Sequence, residues 1–301
     1  MQCPKKCGVN RTQKQKGFCQ ETDDLKIAFA GLHFGEEPLV TVFGGSGTIF
    51  ITGCTLRCAF CQNYQISQNG YGSDVDSKEF TKMCLDLQNA GAENINIVTG
   101  SHHIPKLAEF IRAAKDAGVT IPFCWNSSAY ETVESLELLK DLVTIWLPDL
   151  KTLSSSLSKD LFLAPDYPQV AAKAIKWMIQ NNPLKIKTVE SPKNAKSIEW
   201  AQDGEPREKM EQGVIIRHLF LPGKFQETAD VLQWLKENAD TKSCISLMNQ
   251  YTPVSFNEEK TKLERRQKAL KAIENRLVSQ QEDLDIQDLI EAYDFEYLFY
   301  Q

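Results

Sequence analysis

The chain has 301 residues, of which 42% are hydrophobic and 25% are charged, and its formal net charge is -6 at pH 7. This composition is that of an ordinary globular protein, and the length suits one α/β barrel of about 250 residues. The sequence contains no run of about 20 apolar residues, so we expect neither a membrane span nor a signal peptide, and a cytoplasmic location. A negative net charge also disfavours a general nucleic-acid-binding surface, which would be basic.

The chain contains nine cysteines, which is an odd number. Without a secretion signal, this count fits a reducing compartment better than a disulfide framework. Cys84, Cys124 and Cys244 stand singly in apolar segments, and we interpret them as buried small hydrophobic residues. The remaining cysteines form two groups, one near the N-terminus and one after residue 52.

The second group has the spacing CxxxCxxC and follows the apolar run 48–52; it consists of Cys54, Cys58 and Cys61. Thiolates are preferred ligands of zinc and of iron–sulfur clusters, and three of them on a short loop can converge on one centre. Four cysteines would close a tetrahedral zinc site, whereas three leave one position open for another ligand. The spacing therefore indicates an open metal centre on a loop that follows a strand.

This loop resembles the signature of the radical S-adenosylmethionine (SAM) superfamily, with Phe60 directly before the third cysteine and the sequence QNY at 62–64. It is most similar to the branch related to pyruvate formate-lyase activating enzymes. The resemblance implies that Cys54, Cys58 and Cys61 bind a 4Fe-4S cluster, that the open iron binds SAM, and that Phe60 lies near the adenine. It also implies reductive cleavage of SAM to a deoxyadenosyl radical, with electrons from a donor such as flavodoxin or ferredoxin.

The segment 1–24 carries the other cysteine group, Cys3, Cys7 and Cys19, in sequence without helical or strand periodicity. Three thiolates can bind zinc or a second cluster with a ligand from elsewhere, and a metal would stabilise a segment that lacks its own apolar core. A similar CPxxCGxNR…GxC opening accompanies the cluster loop in an uncharacterised group of activating-enzyme relatives. The alternative interpretation is three reduced thiols on a loop.

Beyond the cluster loop, strand and helix patterns alternate along the chain. Short apolar runs predict six strands, at 48–52, 95–98, 120–126, 143–147, 214–221 and 244–248. Helical periodicity predicts helices between them, at 77–88, 104–117, 132–140, 167–180 and 225–238. Apolar strands that alternate with helices indicate parallel β/α units covered on both faces. We therefore expect an α/β fold, an open partial (β/α)6 barrel of the TIM type, which is also the radical SAM core that the resemblance implies.

We expect the barrel to span residues 25–257, after the Cys-rich segment 1–24, with 258–301 as a C-terminal extension packed on it. Within this extension a charged amphipathic helix is predicted at 258–278. Residues 279–301 carry seven acidic residues and no lysine or arginine, and they predict a helix followed by a strand-like end. Docking of a partner protein is the alternative role for this acidic end. The charged stretch 191–212 has few apolar residues and is expected to be a surface excursion.

In parallel barrels, polar residues at the carboxyl ends of strands face the reaction cavity. This rule nominates residues that bind SAM or substrate at the ends of the second, third and fourth strands and, with Arg217, on the fifth: Thr99, Ser101, His102, Asn126, Ser128, Asp149 and Arg217. Lys151 follows the same strand as Asp149, and the two can hold a polar substrate or pair with each other. Arg217 and His218 are neighbours on one strand, so their side chains point to opposite faces and at most one readily enters the barrel.

The segment after the second strand departs from the family pattern. Many relatives hold the SAM amino group with a Gly-Gly-Glu segment at this position, whereas this chain has TGSH at 99–102. A hydroxyl group, a backbone carbonyl or a neutral imidazole can accept a hydrogen bond from that ammonium group instead.

Three functions remain open at this point. The first is a radical SAM oxidoreductase similar to activating enzymes, whose deoxyadenosyl radical takes a hydrogen atom from a backbone glycine of a glycyl radical enzyme. The second keeps the radical chemistry but acts on an unknown small molecule or macromolecule. The third is a zinc-stabilised binding protein on a barrel-like scaffold, which would not bind SAM.

Overall fold

The protein is described by a computed structural model over residues 3–190, 205–254 and 260–301. Within these residues ten strands form one sheet: β1 Lys26–His33, β2 Ser46–Ile51, β3 Ser73–Asp74, β4 Ile95–Val98, β5 Phe123–Ser127, β6 Ile145–Pro148, β7 Lys185–Val189, β8 Arg207–Leu219, β9 Cys244–Met248 and β10 Leu298–Tyr300. Their order across the sheet is β10-β9-β8-β6-β5-β4-β2-β1-β3, with β7 paired to β8 beside this path.

Six of these strands, β2, β4, β5, β6, β8 and β9, pair with their neighbours in parallel and form the centre of the sheet. They correspond to the six strands that the sequence predicts. β1 adds to β2 in antiparallel orientation at one side, and β10 adds to β9 in parallel at the other. The edge strands β3 and β10 do not pair with each other in the described part of the chain, so the sheet is an open, partial barrel. The predicted α/β partial barrel is confirmed.

Helices cover the sheet and follow its strands in the expected alternation: α1 Tyr64–Ser67, α2 Ser77–Asn89, α3 Ile104–Asp116, α4 Val133–Leu136, α5 Ser155–Phe162, α6 Tyr167–Asn181, α7 Phe225–Asn238, α8 Lys260–Leu270 and α9 Gln280–Tyr293. No helix of the described ranges combines the length and the hydrophobicity needed to cross a membrane. α4 ends before the predicted residue 140 and continues as a single 3-10 turn, Glu137–Leu139.

The start of α2 shows how side-chain hydrogen bonds set a helix boundary. Asp76 caps this helix, because its side chain accepts hydrogen bonds from the backbone N–H groups of Lys78 and Glu79. The Glu79 side chain accepts from the Asp76 N–H in return, which completes a capping box. Ser77, the first residue of the predicted helix 77–88, is the first helical residue.

The hydrophobic core lies between the sheet and its helices. Trp125 of β5 and Trp146 of β6 are completely buried, and the Trp146 ring meets that of Trp177 in α6 edge-on at 5.7 Å. Burial of one large apolar side chain contributes about 1.5–3 kcal/mol, so this layer supplies much of the stability of the barrel. The single cysteines Cys84, Cys124 and Cys244 are also completely buried, as the sequence predicted.

Two segments differ from the expectation. Residues 207–212, expected within a surface excursion, are the first half of β8 and pair with β7 in an antiparallel hairpin. Met210 explains the difference, because its side chain is completely buried and its N–H donates to the Leu39 carbonyl oxygen at 2.9 Å. Residues 191–204 of that excursion lie outside the described residues. The predicted helix 258–278 ends at Leu270, and beyond it the Glu274 N–H donates to the Pro222 carbonyl oxygen at 3.1 Å.

His218 on β8 is buried on the helix side of the sheet. Its Nδ1 lies 2.7 Å from the carbonyl oxygen of Leu150, and its Nε2 lies 2.9 Å from the hydroxyl oxygen of Thr228. A neutral ring with its proton on Nδ1 satisfies both partners. Burial lowers the pKa of His218 to about 4. In the unfolded chain this residue binds a proton near pH 6.5, whereas in the folded protein it does so only near pH 4.

The free energy of unfolding should therefore fall as the pH drops through this window, because the unfolded state binds more protons. Between about pH 7 and pH 4.5, the free energy of unfolding of a His218→Gln variant is expected to fall by about 2.5 kcal/mol less than that of the wild type. Urea unfolding of the wild type and the variant at the two pH values measures the difference. Equal pH dependence in both proteins would show that His218 does not contribute to it.

Candidate active site

A cavity of about 470 Å³ lies at the carboxyl end of the parallel strands. Its walls come from the loop after β2, from the ends of β4, β5, β6 and β8, and from Met248 and Gln301 at the end of β9 and after β10. Barrels of this type place their reacting groups at this end, because the loops that follow the strands converge there.

Gly53 sets the path of the cysteine loop that follows β2. Its φ is +86°, and a Cβ atom at this position would lie 2.5 Å from Cγ of Glu21 and 2.9 Å from Nε2 of His102. No other residue type fits there without displacing its neighbours. The loop then runs along the end of α5, where the Ala59 N–H donates to the Leu161 carbonyl oxygen at 2.9 Å. This path places Cys54, which follows Gly53, in the cavity wall.

Cys54, Cys58 and Cys61 all line this cavity. Burial raises the pKa of the Cys54 thiol to about 12 and raises that of Cys58 further, while the nearby Lys151 lowers both. The sulfur of Cys61 lies 3.2 Å from the hydroxyl oxygen of Ser67. The three thiols thus share one partly desolvated space with a cation beside it.

The spacing of these thiols bears on the metal that they can hold. Among the residues that the structure describes, no three His, Cys, Asp or Glu side chains are arranged to bind a single ion. Sulfur atoms around one zinc ion lie about 3.8 Å apart, because each Zn–S bond is about 2.3 Å. The cysteines of an iron–sulfur cluster bind different irons and stand further apart. Three cysteines beside an open cavity leave one position free for another ligand, as an open cluster does.

The C-terminal helix α8 supports the cysteine loop. Arg266 is buried, and its guanidinium donates to the carbonyl oxygens of Ala59 at 3.0 Å and Cys61 at 3.3 Å. The same group lies 4.8 Å from the centre of the Tyr64 ring. Arg265 donates to the Arg57 carbonyl oxygen at 3.4 Å. Sequence reasoning missed this support, since two arginines on a charged helix are usually exposed to solvent.

The strand ends contribute a charged network centred on Arg217. Its Nε donates to Asp149 Oδ1 at 2.9 Å, and its Nη2 donates to Asn126 Oδ1 at 2.5 Å. Its Nη1 lies 3.4 Å from Glu36 Oε1. Lys151 donates to the other Asp149 oxygen at 2.7 Å. All five residues line the cavity, so hydrogen-bond donors and acceptors of both charges face the same space as the thiols.

The charged state of this network follows from its pairing. Burial by itself would raise the pKa of Asp149, but Arg217 and Lys151 beside it outweigh that effect and lower the pKa. Burial would likewise lower the pKa of Lys151, and the adjacent Asp149 and Cys58 raise it instead. The aspartate and the lysine are therefore both ionised at neutral pH.

Thr99, directly after β4, has a strained backbone. Its φ is +64°, which a β-branched residue rarely adopts, and its N–H donates to the Asn126 carbonyl oxygen at 2.9 Å. Such a conformation costs about 1–3 kcal/mol and persists only where the surrounding structure holds it. Thr99 lines the cavity, so this strain lies at the candidate site.

The structure brings together most of the residues nominated from the sequence. Those that line the cavity are Cys54, Cys58, Cys61, Thr99, Asn126, Ser128, Asp149 and Arg217. Arg217 enters the barrel while His218 lies on the opposite face, as strand alternation requires. Glu36, which the sequence analysis passed over, joins them from the segment after β1. The sequence offered one indication of this role, an acidic residue shortly after the segment that forms strand β1, and that strand was not predicted.

Three nominated residues lie outside the cavity lining. Phe60 packs edge-on against the rings of Phe162 at 5.9 Å and Tyr251 at 6.0 Å. Ser101 is buried and donates to Glu131 Oε1 at 2.6 Å. His102 is also buried, with Nε2 2.6 Å from the carbonyl oxygen of residue 52. The chain turns at Thr99, and this turn directs the next side chains away from the cavity.

Comparison with known proteins agrees with this geometry. Residues 48–186 match the family model of the radical SAM superfamily. The match covers a little under half of the chain. Members of this family bind a 4Fe-4S cluster and SAM. Three thiols with an open position, in a cavity that also presents paired charges, fit that pair of cofactors.

The chain has a relative in an archaeon. The chain is 28% identical over 272 residues to the uncharacterized protein MJ0674 of Methanocaldococcus jannaschii, a match that covers 88% of this chain and 69% of the relative. The similarity therefore extends well beyond residues 48–186.

Solved structures share the fold at low sequence identity. A radical SAM methyltransferase from Sphaerobacter thermophilus is 12% identical with a TM-score of 0.51, and the match covers 84% of this chain and 66% of the other. Streptococcus suis SuiB, bound to the precursor peptide SuiA, is 12% identical with a TM-score of 0.50, and the match covers 82% of this chain and 46% of the other. The chain thus spans about half to two thirds of these proteins, and the likeness concerns the fold.

Proposed function

We propose that this protein is a radical SAM oxidoreductase that cleaves SAM reductively. The observation that carries the proposal is that Cys54, Cys58 and Cys61 share one cavity with polar residues from several strand ends. When bound, the cluster and SAM supply a one-electron cleavage that yields methionine and a deoxyadenosyl radical, with the electron coming from a donor such as flavodoxin or ferredoxin. The protein holds both cofactors, orients them and excludes water.

Within this proposal the strand-end residues bind SAM. Asn126 and Asp149 offer oxygen acceptors to an ammonium group or to ribose hydroxyls, and Arg217 offers donors to a carboxylate. Thr99 lies where many relatives have a Gly-Gly-Glu segment, and it lines the cavity with a left-handed backbone conformation. Lys151, whose charge acts on both Cys54 and Cys58, offsets the negative charge of the cysteine thiolates.

We propose that residues 25–257 form the catalytic barrel and that 258–301 hold its open side in place. Contacts of the extension support this division. Arg266 binds the cysteine loop, and the Gly223 N–H donates to Glu282 Oε1 of α9 at 2.8 Å. Gln301 donates to Glu37 Oε2, beside the cavity, at 2.7 Å. The extension thus reaches the site at two points.

We further propose a polypeptide substrate, in the manner of glycyl-radical-enzyme activating enzymes. The radical would take a hydrogen atom from a glycine Cα, giving 5′-deoxyadenosine and a glycine-centred radical. Two observations support this class: the resemblance of residues 54–64 to activating enzymes, and the shared fold with SuiB, which was crystallised with a precursor peptide. An unknown small molecule or another macromolecule is the alternative substrate.

Anaerobic reconstitution with iron and sulfide tests the radical SAM proposal. The reduced protein should show the EPR signal of a reduced 4Fe-4S cluster, and SAM should change that signal. Incubation with dithionite and SAM should release 5′-deoxyadenosine. A colourless protein that retains zinc and leaves SAM intact would instead support a zinc-stabilised binding protein.

A second experiment tests the substrate class separately. The reduced enzyme with SAM is mixed with each glycyl radical enzyme of the source organism, and the glycine-centred EPR signal is measured. Appearance of this signal with the wild type, and not with a Cys58→Ala variant, supports an activating enzyme. Release of 5′-deoxyadenosine without a glycyl radical in any mixture would exclude that substrate and leave the cleavage of SAM standing.

A further inference from the structure

A second cavity, of about 410 Å³, lies in the N-terminal segment and is separate from the cluster cavity. Cys3, Cys7, Cys19 and His102 are among its lining residues. The Cys7 sulfur accepts a hydrogen bond from the Phe18 N–H at 3.2 Å, which brings the two ends of the segment together. Three cysteines from a segment with little regular structure thus share a cavity with one histidine of the barrel.

His102 has the hydrogen-bonding pattern of a metal ligand. It is 1% exposed, and its Nε2 lies 2.6 Å from the carbonyl oxygen of Thr52. A carbonyl oxygen only accepts, so Nε2 carries the proton and Nδ1 presents a lone pair. Nδ1 is buried and has no hydrogen-bond partner among the described residues. Histidines that bind metals characteristically donate their other N–H to a backbone carbonyl in this way.

A cation lies beside this histidine. Arg11 donates to the His102 carbonyl oxygen and lies 3.0 Å from Nε2 of His103. This guanidinium also lines the cavity, where it can offset the negative charge that three thiolates would place there.

We propose that Cys3, Cys7 and Cys19, with Nδ1 of His102 as fourth ligand, bind a zinc ion. A Cys3His set is a closed tetrahedral structural site, and the CxxxC spacing of the first two ligands lies within its usual range. The proposal does not depend on the radical chemistry, because it uses none of the residues of the cluster cavity.

Zinc binding requires the N-terminal segment to contract around the ion. No three potential ligands among the described residues are close enough to hold one ion at present. The segment contains a single short 3-10 turn, Arg11–Gln13, and its backbone hydrogen bonds around this turn are local, such as Lys14 N–H to the Arg11 carbonyl oxygen at 2.9 Å. Cys7 is exposed and has room to move, whereas His102 is buried against the barrel. Structural zinc commonly orders segments that lack a core of their own.

The centre would also stabilise the cluster loop. The Thr52 carbonyl that binds His102 comes two residues before Cys54. From the other side, Arg57 within the cluster loop donates to the Phe18 carbonyl oxygen at 3.1 Å. Zinc at this site would therefore order the residues that contact the cluster loop at Arg57 and the strand end before it.

The test uses the full-length chain with Cys54, Cys58 and Cys61 all changed to alanine, so that the cluster cannot form. Elemental analysis is expected to find about one zinc per chain. A further Cys7→Ser change removes one zinc ligand and should lower the zinc content at least about tenfold. The fold should survive this change, because Cys7 is exposed and its replacement disturbs little packing. His102→Cys, which keeps four ligands, should retain the zinc. Cys84→Ala, which removes a buried thiol far from the segment in sequence, is the matched control and should also retain it.

Cobalt substitution identifies the ligands, because thiolate-to-cobalt charge-transfer bands and tetrahedral d–d bands should appear and should shift in the His102→Cys variant. Circular dichroism confirms that each variant is folded. No bound zinc in the folded parent, unchanged zinc after Cys7→Ser, or iron with sulfide in place of zinc would each overturn the assignment. None of these outcomes bears on SAM cleavage by the wild type.

Discussion

Replacing Cys58 by alanine is expected to reduce release of 5′-deoxyadenosine from SAM to less than about 1% of the wild-type rate, because the cluster loses one of its three protein ligands. The fold should survive the change. Burial raises the pKa of this thiol, so in the absence of metal a neutral group is replaced by a smaller neutral group. The effect should therefore be confined to the chemistry.

The measurement compares iron and sulfide content, the EPR spectrum of the reduced protein and 5′-deoxyadenosine formation after identical reconstitution. Cys84→Ala is the matched control, since Cys84 is a buried thiol in α2 that does not line the cavity. This control should keep both the cluster and the activity. If the Cys58→Ala variant cleaved SAM at the wild-type rate, these cysteines would not hold the catalytic cluster.

Changing Arg217 to methionine is expected to weaken SAM binding at least about tenfold and to destabilise the protein by about 3–5 kcal/mol. Arg217 is 14% exposed and contacts Asp149 at 2.8 Å and Glu36 at 3.4 Å. Its removal leaves two largely buried carboxylates with Lys151 as the remaining cation that contacts Asp149. Uncompensated buried charge is the main source of the destabilisation.

A double variant separates stability from binding. Arg217→Met combined with Asp149→Asn removes both partners of the ion pair and should recover much of the stability, while SAM affinity stays low. Urea unfolding and calorimetric titration of the reconstituted protein with SAM measure the two effects. Lys209→Met is the control, because Lys209 pairs with the partly buried Glu93 outside the cavity. The Lys209→Met variant should lose stability and keep its affinity for SAM. If the Arg217→Met variant also kept its affinity for SAM, Arg217 would not belong to the SAM site.

The core of the fold could be predicted because its signals are local. Each parallel strand is a short apolar run buried on both faces, and each following helix has an apolar stripe that packs on the sheet. The same alternation predicted that Arg217 and His218 would face opposite sides of β8, as they do. The strand at Leu298–Tyr300 was recognisable from its composition, but its pairing with β9 was not, since pairing depends on where the chain returns.

The candidate site was harder to predict, because a residue's position after a strand does not determine the direction in which its side chain points. Thr99, Ser101 and His102 all follow β4, yet the left-handed backbone at Thr99 leaves only the first of them in the cluster cavity. His102 faces the N-terminal cysteines instead. Nothing in the spacing of these residues distinguishes the two outcomes.

By itself the sequence determined the partial barrel, the three-cysteine loop and the strand ends that would surround it. These features depend on side-chain periodicity and on ligands within eight consecutive residues. Only the tertiary structure decided that Glu36 would pair with Arg217 and that Arg266 would support the cysteine loop. In the first contact the two residues are 181 positions apart in the sequence, and in the second they are 207 positions apart. A contact between distant residues depends on how the whole chain packs, and it leaves no pattern in the neighbouring sequence.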